Sequence, residues 1–189
     1  RRNTRTSLAV LGLLALALVV RLINLNQSLW LDEAVSVLTA RDLDLVGVWQ
    51  HYRSAHFQPP LHSFVLWGWG RLFGWSEVSV RLPSVLAGVG VVWGGFKLGQ
   101  ILIDRRFGLK FGGLLAIAPF LVYYSQEARP YSLALWLSLS WMVSFVRLLK
   151  GGQNWPSFVF WGALSLWGGY YNALLIPVQW LLSFKQSRG

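Results

Sequence analysis

Cysteine is absent from the 189 residues, so disulfides and thiolate metal or redox centres are excluded. Acidic residues are scarce: seven Asp and Glu stand against seventeen Lys and Arg, for a formal net charge of +10. Charged residues of all kinds make up 13% of the chain, against about 25% in an average soluble domain. What takes their place is apolar. Hydrophobic residues account for 54% and gather into long runs that a soluble core of this size would have little use for. Many of the twelve Trp lie near the ends of those runs, where an apolar ring with a polar N–H suits a water–lipid boundary.

The first run, Ser7 to Ile23, follows Arg1, Arg2 and Arg5. It is longer than a signal-peptide core and lacks a small-x-small cleavage site, so it reads as a retained membrane helix. Residues 24–58 are polar enough to leave the bilayer. Within them Asp32 is expected to cap a short helix from Glu33 to about Ala40. Pro59-Pro60 opens a run to Phe73 that is too short to span comfortably and reads as an interfacial helix. Ser79–Ile103 spans, with Pro83 near its start. Its glycines, Gly88 to Gly99, invite close helix approach. Phe111–Tyr124 spans back, Ser125–Tyr131 is a polar loop, and Ser132–Val146 spans again. Residues 156–184 are broken near Gly168-Gly169 and Asn172, giving two short helices or one long tilted one. The fold class is therefore all-α: a polytopic membrane bundle of about five to six spanning helices, residues 1–189, with interfacial helices in a first outer loop, 24–78. The chain opens on Arg1 rather than Met and stops at Gly189 without a capping domain, as a truncated module would.

Charge sets the orientation. With Arg1 in the cytoplasm and the chain alternating through its spans, eleven basic residues and one acid, Asp104, fall inside. Six basic and six acidic residues fall outside. This is the positive-inside bias. Counting Pro60–Phe73 as a span would abolish it. The excess charge thus belongs to a membrane face, and no nucleic acid partner is expected.

The outer side holds six of the seven acids and all three histidines, His51, His56 and His62. Trp30-Leu31-Asp32-Glu33 sets two acids directly after two large apolar residues at the bilayer edge. A carboxylate partly withdrawn from water is more basic, which suits a general base acting on an alcohol or amine.

These residues resemble a family. Leu29-Trp30-Leu31-Asp32-Glu33-Ala34 is similar to the first-outer-loop signature of the GT-C membrane glycosyltransferases. Gln58-Pro59-Pro60-Leu61 resembles their Pro-Pro-Leu element. Glu77 with Val80-Arg81-Leu82-Pro83-Ser84 resembles the element opening the next helix, and Tyr124-Ser125-Gln126-Glu127-Ala128-Arg129-Pro130-Tyr131 a further outer-loop element. Together they span residues 28–132. The resemblance is to the Rgt-type and family 39 enzymes, relatives of protein O-mannosyltransferases and the aminoarabinose transferase.

The resemblance implies transfer of a sugar from a polyprenyl-phosphate donor to a lipid, glycan or protein acceptor, with inversion. The location implied is extracytoplasmic, on a bacterial plasma membrane. It implies Asp32 as base and Glu33 as an orienting or metal-binding acid. Arg129, Tyr131 and Arg81 are the candidates for the donor phosphate. Arg81 could instead pair with Glu77, and Arg129 with Glu127. A divalent metal stays open, with Glu33 and His56 as candidate ligands; Gln58 stands where many relatives have His. Homo- or hetero-oligomers also stay open, as does a non-catalytic subunit binding polyprenyl phosphate or partner helices. A transporter is disfavoured, since the span centres lack charges.

Overall fold

The computed structural model describes residues 2–55 and 59–186, with side chains for 7–52 and 59–184. The described residues form ten α-helices, one 3-10 turn and no strand, a membrane helix bundle as expected. The helices are α1 (Arg2–Leu22), α2 (Leu31–Asp42), α3 (Leu45–Ala55), α4 (Leu61–Phe73), α5 (Glu77–Leu102), α6 (Arg105–Ile117), α7 (Pro119–Ser125), α8 (Tyr131–Leu149), α9 (Trp155–Gly168) and α10 (Leu175–Gln186). By length and composition α5 and α8 can each cross a membrane alone, and α6 with α7 forms a third, bent candidate. Apolar side chains such as Leu72 and Tyr171 are widely exposed, as on a surface facing lipid. Residues 156–184 resolve into two helices joined by the 3-10 turn Tyr170–Leu174, where Asn172 donates to the carbonyls of Ser165 and Ala134.

α5 is the central helix. Ser76 caps it by accepting from the Ser79 N–H, and Glu77 in its first turn complements the helix dipole. A Cβ on Gly99 would lie 3.0 Å from the Gly108 Cα, so two glycines set the approach of α5 to α6. Asp104 caps α6 through the Phe107 N–H at 2.7 Å.

The return run is not one helix. Pro119 cannot donate to the Leu115 carbonyl, and α6 and α7 meet at a 61° bend. Arg21, fully buried at the end of α1, supplies the missing donors: Nη2 to Leu115 O at 3.1 Å and Nη1 to Ala116 O at 3.0 Å. In return the Gln126 side chain donates to Ile23 O at 2.7 Å, closing α1 just before Asn24 turns left-handed at φ 59°.

The loop between α1 and α5 differs from expectation in two places. α2 begins at Leu31, with Trp30 as its N-cap, so Asp32 lies in the first turn and does not cap. α3 was not expected; Asp44 caps it through the Gly47 N–H at 2.7 Å. α4 lies against α2, with Leu66 meeting Val37, Ala40, Val80 and Ala128 in a small core. Arg71 of α4 donates to Ala40 O and Leu43 O, closing the C-terminus of α2.

Candidate active site

Three separated segments meet at one end of the bundle: the start of α2, the start of α5 and loop 126–130. Glu33 is fully buried and Arg81 is 4% exposed. Arg81 Nε lies 2.9 Å from Glu33 Oε1, and Nη2 lies 2.6 Å from Oε2. Its remaining donors reach Leu25 O at 2.7 Å, Gln27 O at 2.6 Å and Ser28 O at 3.3 Å. A guanidinium has only about five N–H donors, and every one is engaged here. Glu33 is equally committed: Oε1 also accepts the Ala128 N–H at 2.7 Å, and Oε2 the Trp30 N–H at 3.4 Å. The local pairing of Arg81 with Glu77 is replaced by this long-range one.

Asp32, one residue earlier, faces the other way. Its side chain is 48% exposed and its Oδ2 lies 3.4 Å from Arg129 Nη2. Arg129 Nη1 donates to the Asp32 carbonyl at 3.2 Å, and Nη2 to the Tyr131 hydroxyl at 3.2 Å. Arg129 therefore pairs with Asp32, not with Glu127. Its Nε is buried without a hydrogen-bond partner among the described residues. Asp32, Arg129 and Tyr131 thus share one cluster.

Two residues without an assigned role lie beside it. His62 is 4% exposed, with Nε2 unpartnered among the described residues, and burial together with the Arg129 charge pushes its pKa down to about 3. Glu127 is 5% exposed; burial raises its pKa, against a hydrogen bond from Tyr123 and with the Glu33 charge adding to the rise. The readable signals were the position of His62 directly behind Pro59-Pro60-Leu61 and, for Arg21, a lone charge in an apolar run.

No group of three His, Asp or Glu among the described residues could hold a metal ion. Glu33 does not fit that role, because both its oxygens are occupied. His56 lies outside the described residues.

Beside the cluster runs an apolar cleft of about 390 Å³ between α1, α5, α7 and α8, with Tyr131 and Tyr124 in its lining and Phe120, Leu121 and Leu135 among its walls.

Residues 57–188 match the family model described as dolichyl-phosphate-mannose-protein mannosyltransferase. The match takes in Arg81, Arg129 and Tyr131; Asp32 and Glu33 precede it. No curated protein and no solved structure is a significant match.

Proposed function

The chain belongs to the dolichyl-phosphate-mannose-protein mannosyltransferase family, a GT-C glycosyltransferase group, and from that premise we propose that it transfers a sugar from a polyprenyl-phosphate donor to an acceptor at the extracytoplasmic face, with inversion. Asp32 takes the proton of the acceptor hydroxyl. The acceptor oxygen attacks the anomeric carbon. The bond from that carbon to the phosphate oxygen breaks, and the polyprenyl phosphate leaves with the electron pair. Arg129 and Tyr131 counter its charge, a fixed guanidinium being well suited to phosphate. The isoprenoid chain lies in the apolar cleft that Tyr131 helps to line.

An inverting displacement needs base and leaving group on opposite faces of the sugar. Asp32 and Arg129 cannot then remain 3.4 Å apart. The donor phosphate replaces Asp32 as the partner of Arg129 and frees the carboxylate for the acceptor. Glu33 and Arg81 act as positioning residues, since their polar atoms are spent on each other and on backbone.

The observation that carries this reading is the meeting of Asp32, Arg129 and Tyr131 beside an apolar cleft. The test is transfer from polyprenyl-phosphate sugars by Asp32→Asn protein that still folds. Undiminished turnover removes Asp32 from the chemistry. A non-catalytic subunit binding polyprenyl phosphate would keep the cleft and Arg129 but show no turnover to lose.

A further inference from the structure

Lys97 lies sixteen residues along α5 from Arg81, roughly 24 Å at helical rise, so it sits toward the far end of the bundle from Asp32. Its ammonium rests 4.4 Å from the Trp93 ring centroid. Together with Arg147 of α8 it lines a groove of about 270 Å³ between α5, α8 and α9, walled by Trp93, Trp136 and Trp161 and holding Ser140.

The charges in this groove are of one sign. The ion pairs of the described residues are Arg41 with Asp42, Arg81 with Glu33 and Arg129 with Asp32, so neither Lys97 nor Arg147 has a carboxylate partner. Lys97 instead feels the like charges of Arg147 and Arg105. The one acid near that end, Asp104, is engaged as the cap of α6.

Depth is the second consideration. Lys97 is five residues before the end of α5, about 7–8 Å along its axis. Arg147 is two residues before the end of α8. Both cations therefore lie just inside the helix ends, at the level where lipid head groups meet acyl chains. A cation pair without a counter-charge, at that depth and against an indole wall, complements an amphiphile with an anionic head and apolar tails.

We propose that the Lys97–Arg147 groove is a binding site for the phosphate of an anionic phospholipid, separate from the Asp32 cluster. The head-group phosphate bridges the two cations. The Trp rings and Val143 meet the upper acyl chain.

The experiment is native mass spectrometry of the purified full chain with dioleoyl phosphatidylglycerol and, separately, dioleoyl phosphatidylcholine. Wild-type protein is expected to retain the anionic lipid preferentially. Lys97→Gln and Arg147→Gln should each reduce that preference about fivefold, and the double variant more. The pair Lys97→Arg with Arg147→Lys, which keeps both charges, should retain it and shows that loss in the Gln variants is not misfolding. Equal retention of the two lipids by wild-type protein, or an unchanged preference in the double Gln variant, overturns the proposal. So does displacement of the lipid by millimolar inorganic phosphate, which would make the groove a small-anion site only.

Discussion

Arg129 holds Asp32 twice, through the carboxylate at 3.4 Å and through the backbone carbonyl at 3.2 Å. A residue of loop 126–130 thereby fixes the first turn of α2 from 97 positions away. The second contact does not depend on the Asp32 side chain. Asp32→Asn should therefore leave the helix start in place while removing the base. Turnover is expected to fall about 10²- to 10⁴-fold, the usual range for a general base, while the donor KM falls or stays level, because the donor phosphate no longer has to displace a carboxylate from Arg129. Steady-state kinetics with a polyprenyl-phosphate sugar, beside circular dichroism of the same samples, checks this.

The inward-facing pair behaves differently. Glu33 and Arg81 tie loop 24–30, α2, α5 and loop 126–130 into one knot, with almost no exposure. Removing one partner leaves a buried, uncompensated charge, which typically costs about 3–5 kcal/mol. Glu33→Ala and Arg81→Ala should each lower the melting temperature in detergent strongly. The double variant should be less destabilised than the two effects added. A thermal double-mutant cycle reads the coupling.

How much of this was legible in the sequence depends on range. Most of the helices and the polar end could be read because periodicity is a local property, and Asp32, Arg129 and Tyr131 were singled out by motif resemblance. The pairings could not. From sequence, Arg81 finds Glu77 and Arg129 finds Glu127, because neighbours within four residues are the visible candidates. In the fold both choose acids from the first loop, 48 and 97 positions away. The cap of α3 was readable, with Gly47 three residues after Asp44. The break at Pro119 was readable too, since proline in a helix interior frees a carbonyl. What fills that gap, Arg21, required knowing that α1 passes beside α6.

That gap gives a third prediction. Arg21→Leu leaves the carbonyls of Leu115 and Ala116 without their side-chain donor. Each unsatisfied buried group costs about 1–3 kcal/mol, so the variant should be clearly less stable. Pro119→Ala restores an N–H that can reach Leu115 O. In the Arg21→Leu background it should recover part of the loss. Unfolding midpoints of the four proteins test this; no recovery would mean that the Arg21 contacts are not compensating for the proline.

Metal removal is the fourth. With Glu33 saturated and no trio of ligands among the described residues, the transfer step is expected to survive chelation. Turnover in excess EDTA should match turnover in added Mg²⁺ or Mn²⁺ within about twofold, well below the loss expected when a catalytic metal is withdrawn. A large loss on chelation, restored by one ion, would mean either that Glu33 leaves Arg81 or that ligands outside the described residues hold the ion.

His62 and Glu127 give pH dependences of opposite sign. The His62 pKa falls from 6.5 in the unfolded chain to about 3 in the fold. Between those values the unfolded chain binds the extra proton, so stability falls as pH drops through this window. His62→Phe, apolar and of similar shape, should flatten the loss of stability between about pH 6.5 and 3. Glu127 shifts upward from 4.5, chiefly through burial. Its folded form favours the proton, so its contribution is present below the unfolded pKa and declines as pH rises through the folded one. Glu127→Gln keeps the neutral shape at every pH. It should therefore raise the melting temperature at pH 7 and change it little at pH 4. Melting curves across pH 3–8 for wild type and the two single variants separate the effects: the His62 difference must grow toward acid and the Glu127 difference toward neutrality. If both differences grow in the same direction, the charge states assigned to these two buried groups are wrong.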